Sequence, residues 1–177
     1  MTTDTQSLSF LERLLNLNEQ LAVHFRRHWL KWVMLLALAF VFQQHFMIGV
    51  NISPSLPQRF FLIAKGEAVT KGDYVAFRWH GQGGFYVGQP TFTKKVIGVA
   101  GDVVTVKGQE VFINGQLVAL AKQQSSTGKP MEVAHAKVLG KGEFFVYAPN
   151  PSSLDSRYSV VGYISNDDVI GRAFPIF

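Results

Sequence analysis

"EVFINGQLVAL", residues 110–120, holds two short apolar runs on either side of Asn114-Gly115. An Asn-Gly pair in that setting is a strong β-hairpin signal, because a two-residue type I′ turn needs positive φ at both central positions. Outward from the hairpin the same texture repeats. "RFFLIAK" (59–65), "DYVAFRW" (73–79), "FTKKVIGVA" (92–100) and "DVVTVKG" (102–108) precede it, and "EFFVYAP" (143–149), "VVGYIS" (160–165) and "VIGRAFPIF" (169–177) follow. About eight candidate strands, rich in β-branched and aromatic residues and spaced too closely for helical crossovers, predict a mainly β, antiparallel domain over residues 51–177. Two looser stretches interrupt it, near residues 80–90 and 122–142. The glycines of the first do not form a phosphate loop, since no Gly-Lys-Ser/Thr and no helix follows them; they read as a flexible lip.

Ahead of residue 51 the chemistry changes. "WLKWVMLLALAFVFQQHFMIGV" (29–50) has one apolar run from Trp32 to Phe42 and a second from Phe46 to Val50. About 20 helical residues cross a bilayer core of about 30 Å, so the two runs together predict a transmembrane helix over 29–50, with Gln43, Gln44 and His45 toward its outer end. Arg26, Arg27, His28 and Lys31 precede the span, whereas Arg59 and Lys65 are the nearest basic residues after it. That asymmetry puts the N-terminus in the cytoplasm and residues 51–177 outside it, in a single-pass arrangement. Residues 1–28 predict a cytoplasmic amphipathic helix, with Ser9 and Glu12 at capping-box spacing and Leu11, Leu14, Leu15, Leu21, Ala22 and Phe25 at roughly helical intervals.

Composition narrows the chemistry. The 177 residues contain no cysteine, which removes thiol catalysis, disulfides and thiolate-bound metal. Lys and Arg total 17 against 12 Asp and Glu, but they are scattered, without the basic stripe of a nucleic-acid footprint. No HExxH, EF-hand, GxSxG or GxGxxG pattern occurs, so no metal or other cofactor is expected. His80 and His135, the histidines after residue 51, lie in loop-like surroundings, and nothing places either near a particular serine.

What remains is serine, lysine and aspartate. A serine hydroxyl needs a base, and a lysine serves only if its amine is neutral, a condition that burial or nearby positive charge imposes. "FTKKVIGVAGD" (92–102) offers Lys94 and Lys95 inside a β-run, where alternation sends one to each face. Periodicity does not choose between them.

"NISPSLP" (51–57), "TKKVIGVAGD" (93–102) and "SSLDSRY" (152–158), in that order behind an N-terminal apolar span, resemble the boxes of the type I signal peptidase family, peptidase S26, and most closely its conjugative TraF-like pilin peptidases. The resemblance implies a signal-peptidase-like antiparallel β-sheet domain that is periplasmic and anchored in a bacterial inner membrane. It further implies Ser55 as nucleophile and Lys94 as general base, with Ser53 as oxyanion donor beside the Ser55 amide and Ser153 orienting the lysine. Asp155 and Arg157 would brace the site. Gly98, Gly101 and Asp102 would form and tie down a tight turn. Leu56, where the family usually has methionine, would point at lipid or substrate. "APNPSS" (148–153) stands where the general family has a Gly-Asp-Asn opening, as is typical of the conjugative branch, whereas Arg59 departs from that branch's usual glycine. The implied partners are the membrane, an exported precursor such as a pilin, and components of a conjugation or type IV secretion apparatus. The implied reaction is endopeptidase cleavage, with cyclisation of the product in some members. The rival reading is a bitopic assembly factor of a conjugation or secretion apparatus with no catalysis; it explains anchor and β-domain but not the order of the three boxes.

Overall fold

Period-two burial turns the runs after residue 59 into strands. In β2 (Phe60–Lys65) Phe61 and Ile63 are fully buried while Phe60 and Lys65 face outward, and in β4 (Thr91–Gly98) Lys94, Val96 and Gly98 are buried while Lys95 is exposed. This is a computed structural model, and it describes residues 4–81, 85 and 88–176, with the side chains of residues 4–9 and 11 left aside. The remaining strands are β1 (Phe46–Val50), β3 (Tyr74–Arg78), β5 (Val103–Lys107), β6 (Glu110–Ile113), β7 (Gln116–Leu120), β8 (Lys137–Val138), β9 (Glu143–Tyr147), β10 (Ile164–Ser165) and β11 (Val169–Pro175).

They form two sheets with antiparallel pairings throughout. The larger has the order β1-β2-β11-β3-β4-β9-β10 and the smaller β7-β6-β5-β8. Asn114 (φ 53°) and Gly115 (φ 79°) make the hairpin between β6 and β7 that their sequence predicts. Burial on both faces marks the centre of the large sheet. Val75 and Phe77 of β3 pack with Trp79, Val96 and Val146, whereas Ala76 belongs to a second cluster with Leu56, Phe61 and Ile63. A third cluster, Val104, Val111, Ile113 and Leu139 with Phe145, fills the space beneath the small sheet. Gly98 joins β4 to that cluster: a Cβ there would lie 2.8 Å from the Phe145 Cβ. Close packing therefore explains this glycine, not the tight turn expected of it; Gly101 (φ 88°) supplies the turn.

The N-terminal region departs from expectation. Helix α1 (Asp4–His45) is already helical at Asp4, so Ser9 does not start it, and its one non-helical residue is His28 (φ −119°, ψ 21°), at the expected boundary between the amphipathic and apolar segments. The Ser9–Glu12 capping interaction itself falls on a side chain outside the described residues. The helix stops at His45, and Phe46–Val50, expected to complete a span over 29–50, is strand β1, paired with β2 from Phe46↔Ala64 to Val50↔Phe60. Five apolar residues suit either structure, and the open edge of β2 supplies the hydrogen bonds that decide. What stays helical and unbroken, Trp32–Phe42, covers about 16 Å of a core about 30 Å thick. Among the described residues no helix is long and apolar enough to cross a membrane. The chain divides between Gln44 and His45 into two units, the helix and the β domain.

Candidate active site

The turn after β1 is built by one carboxamide. Asn51 Nδ2 donates to the carbonyls of Leu56 (3.3 Å) and Gln58 (3.2 Å), its Oδ1 accepts from the amide (3.3 Å) and hydroxyl (3.0 Å) of Ser53, and its own amide donates to the Arg59 carbonyl at 2.7 Å. Pro54 and Pro57 fix φ on either side of Ser55. The result brings Ser53 Oγ and Ser55 Oγ to 2.9 Å, with Ser55 only 5% exposed. Leu56 anchors the turn from below. It is buried against Phe61, Ile63 and Ala76, so it points into the core and not, as expected, toward lipid or substrate.

Lys94 enters from β4, where pairing of Val75 with Lys94 fixes its register against β3. Its side chain is 5% exposed and its Nζ donates to Ser153 Oγ at 2.8 Å. Burial lowers its pKa to about 8 from 10.5; the Asp155 carboxylate opposes this and the Arg157 guanidinium reinforces it. Lys95, on the other face, is exposed. Ser53, Ser55, Lys94 and Ser153 all line one cleft of about 210 Å³, together with Phe92, Thr91 and Leu154.

Behind the cleft, Asp155 and Arg157 form a buried pair. Arg157 Nε donates to Asp155 Oδ1 (2.7 Å) and Nη2 to Oδ2 (2.9 Å) and to the Ala148 carbonyl (2.6 Å), while the Ala148 amide donates to Oδ2 at 3.0 Å. Ser156 ties the same segment to β9, its hydroxyl accepting from the Val146 amide at 3.0 Å. The loop 148–157 is thus pinned to β9, and Ser153 within it is held where the Lys94 amine meets it.

Two residues that sequence reasoning passed over shape the site. Asn51 is one. The other is Asn150, whose Nδ2 donates to the Pro54 carbonyl (2.9 Å) and whose Oδ1 accepts from the Ser152 amide (2.8 Å), joining the Ser55 turn to the loop that holds Lys94. Asn-x-Ser and Asn-Pro-Ser are Asx-turn sequences, the one signal available for either. The histidines lie elsewhere: His80 pairs with Asp168 at 2.7 Å, and the His135 carbonyl accepts from the Tyr163 hydroxyl. Among the described residues no cluster of His, Asp or Glu could hold a metal. Asp102 ties down the turn after β4, accepting from Lys71 (2.8 Å), the Val99 amide (3.0 Å) and Asn114 (2.7 Å), contacts that hold its carboxyl below the ordinary range.

The family described as signal peptidase, peptidase S26, matches residues 26–177. Signal peptidase I of Bacillus licheniformis is 29% identical over 157 residues, 81% of this chain and 80% of that protein. The crystal structure of a signal peptidase I from Enterococcus faecalis aligns with a TM-score of 0.38 at 20% identity, covering 60% of this chain and 97% of that one.

Proposed function

The chain belongs to the signal peptidase S26 family, and from that premise we propose that it is a serine endopeptidase using Ser55 as nucleophile and Lys94 as general base on exported precursor proteins. One observation carries the reading: a buried lysine whose amine is neutralised within reach of ordinary pH lines the same cleft as a buried serine hydroxyl. Neutral Lys94 takes the Ser55 proton as Ser55 Oγ bonds to the substrate carbonyl carbon. Its bond to Ser153 uses an N–H, which leaves the nitrogen lone pair for that proton. The charge that develops on the carbonyl oxygen is met by the Ser55 amide and the Ser53 hydroxyl, a donor whose loss costs about 3 kcal/mol in comparable sites. Protonated Lys94 then delivers its proton to the leaving amine, and the acyl-enzyme is resolved when water, deprotonated by Lys94, attacks it. Replacing Ser55 or Lys94 by alanine abolishes processing of a precursor while expression and membrane association stay normal. Retained processing in either variant rejects the dyad.

Membrane attachment belongs to the same proposal. Leu30, Val33, Met34, Leu35, Leu36, Leu38, Phe40 and Val41 are each more than half exposed, and the apolar run Trp32–Phe42 to which most of them belong goes round every side of α1, the pattern of a helix embedded in lipid. In the β domain Val50 and Ile52, the latter 95% exposed, line the cleft beside the Ser55 turn, and exposed Ile48, two residues before Val50 on β1, extends this apolar rim. A site with such a rim suits a scissile bond emerging at a bilayer surface of the bacterial inner membrane, with the β domain on the periplasmic side. Alkaline carbonate extraction checks this: a chain recovered in the soluble fraction sinks the embedding. "APNPSS" in place of the Gly-Asp-Asn opening favours a conjugative pilin as the precursor; cleavage of a general secretory precursor but not of a pilin would reject that choice.

A further inference from the structure

The carboxamide of Asn51 can be oriented from its partners alone. Carbonyl oxygens only accept, so the group facing Leu56 O and Gln58 O is the NH2, and Oδ1 faces Ser53. Since Oδ1 only accepts, the single proton of the Ser53 hydroxyl is directed at Asn51, over 3.0 Å. The Ser53 oxygen is then left to Ser55 as an acceptor, and in the 2.9 Å contact between the two hydroxyls it is Ser55 that donates. An amide oxygen takes up no proton at ordinary pH, so no relay runs out of Ser55 through Ser53 to Asn51.

From this arrangement we infer that Asn51 is a positioning residue: its Oδ1 fixes the Ser53 side chain in the one rotamer that keeps Ser53 Oγ beside Ser55 Oγ, so that donation to the oxyanion requires only a swing of the O–H bond. This rests on the reading of Ser55 as nucleophile. Without Asn51, Ser53 has other rotamers open to it, and the donor must be ordered during the reaction instead of beforehand. The bonds from Nδ2 to Leu56 O and Gln58 O offer a competing account, in which Asn51 merely braces the loop.

The two accounts separate in the full-length enzyme in detergent, assayed well above the pKa of Lys94 so that an added carboxylate does not act through its proton. Asn51→Ala is expected to slow single-turnover acylation about tenfold with KM little changed. Asn51→Asp keeps an acceptor for Ser53 but loses both donors, and it is expected to retain most of the rate. In a Ser53→Ala background Asn51→Ala is expected to cost nothing further, and Ser53 Hα–Hβ couplings are expected to show one rotamer in the wild type and averaging in Asn51→Ala. Equal losses in Asn51→Asp and Asn51→Ala, an undiminished loss in the Ser53→Ala background, or unchanged couplings would each overturn the proposal. A wild-type chain without Ser55-dependent cleavage sinks the peptidase reading instead, while the Ser53 couplings still judge Asn51.

Discussion

Lys94 titrates in the folded chain near pH 8 and, once unfolded, near 10.5. Below 8 the amine is charged in both states, above 10.5 it is neutral in both, and between them the unfolded state binds more protons. This group's contribution to stability therefore rises with pH across that window and is lost as pH falls through 8. Replacement by an apolar side chain of similar length removes the cost of burying the ammonium. Lys94→Met should accordingly be more stable than wild type at neutral pH by on the order of 3 kcal/mol, and should show no such gain above pH 10.5, as urea denaturation would read. With Lys94 as the base of the proposed dyad, kcat/KM should climb about tenfold per pH unit up to about 8 and then level off. A flat profile from neutral pH upward would count against Lys94 as the base. Alternation in the sequence offered Lys94 and Lys95 equally, because both faces of that run carry apolar neighbours. What separates them is the pairing of β4 with β3 and β9, a long-range fact that no local window contains.

Elements position these residues through contacts that are narrow and specific. Gly98 lets β4 lie against Phe145 of β9, and an added methyl would meet Cβ at 2.8 Å and the Leu139 Cδ1 at 3.0 Å. Gly98→Ala should cost roughly 1–3 kcal/mol in thermal denaturation, since the nearest atom is itself a Cβ fixed to its strand. Asn150 is a different kind of joint. Its bond to Pro54 O is exposed and contributes little to stability, roughly 1 kcal/mol, yet it links the Ser55 turn to the loop whose Ser153 meets the Lys94 amine. Asn150→Ala should therefore lower kcat by about tenfold or more while moving the melting temperature only slightly, the signature of lost alignment. Strands written as apolar runs of β-branched and aromatic residues between turn residues, β2 to β7, β9 and β11, were legible from the sequence. β1 was not, because an apolar run continuing straight on from a helix carries no mark of its change in partner, and β8, two residues long, carries no period at all.

At the scale of the molecule the question is what the N-terminal forty-odd residues add to a β domain with three hydrophobic clusters of its own. The division falls between Gln44 and His45, one residue before β1, and β1 finds its hydrogen-bond partner, β2, inside the β domain. The turn of Ser55, the strand of Lys94 and the loop of Ser153 all lie after that division. A chain starting at His45 should therefore unfold cooperatively, cleave a soluble precursor peptide with kcat within severalfold of the full chain, and fail to sediment with lipid vesicles that retain the full chain. The first two results follow from a core and a cleft whose residues all lie after α1; the third follows from the proposed embedding of the helix through Trp32–Phe42, apolar on every side, as the main lipid contact. Binding of the shortened chain to vesicles as tightly as the full one would move that role to the rim at Ile48, Val50 and Ile52, and loss of cooperative unfolding would mean that the β domain depends on the helix for its stability.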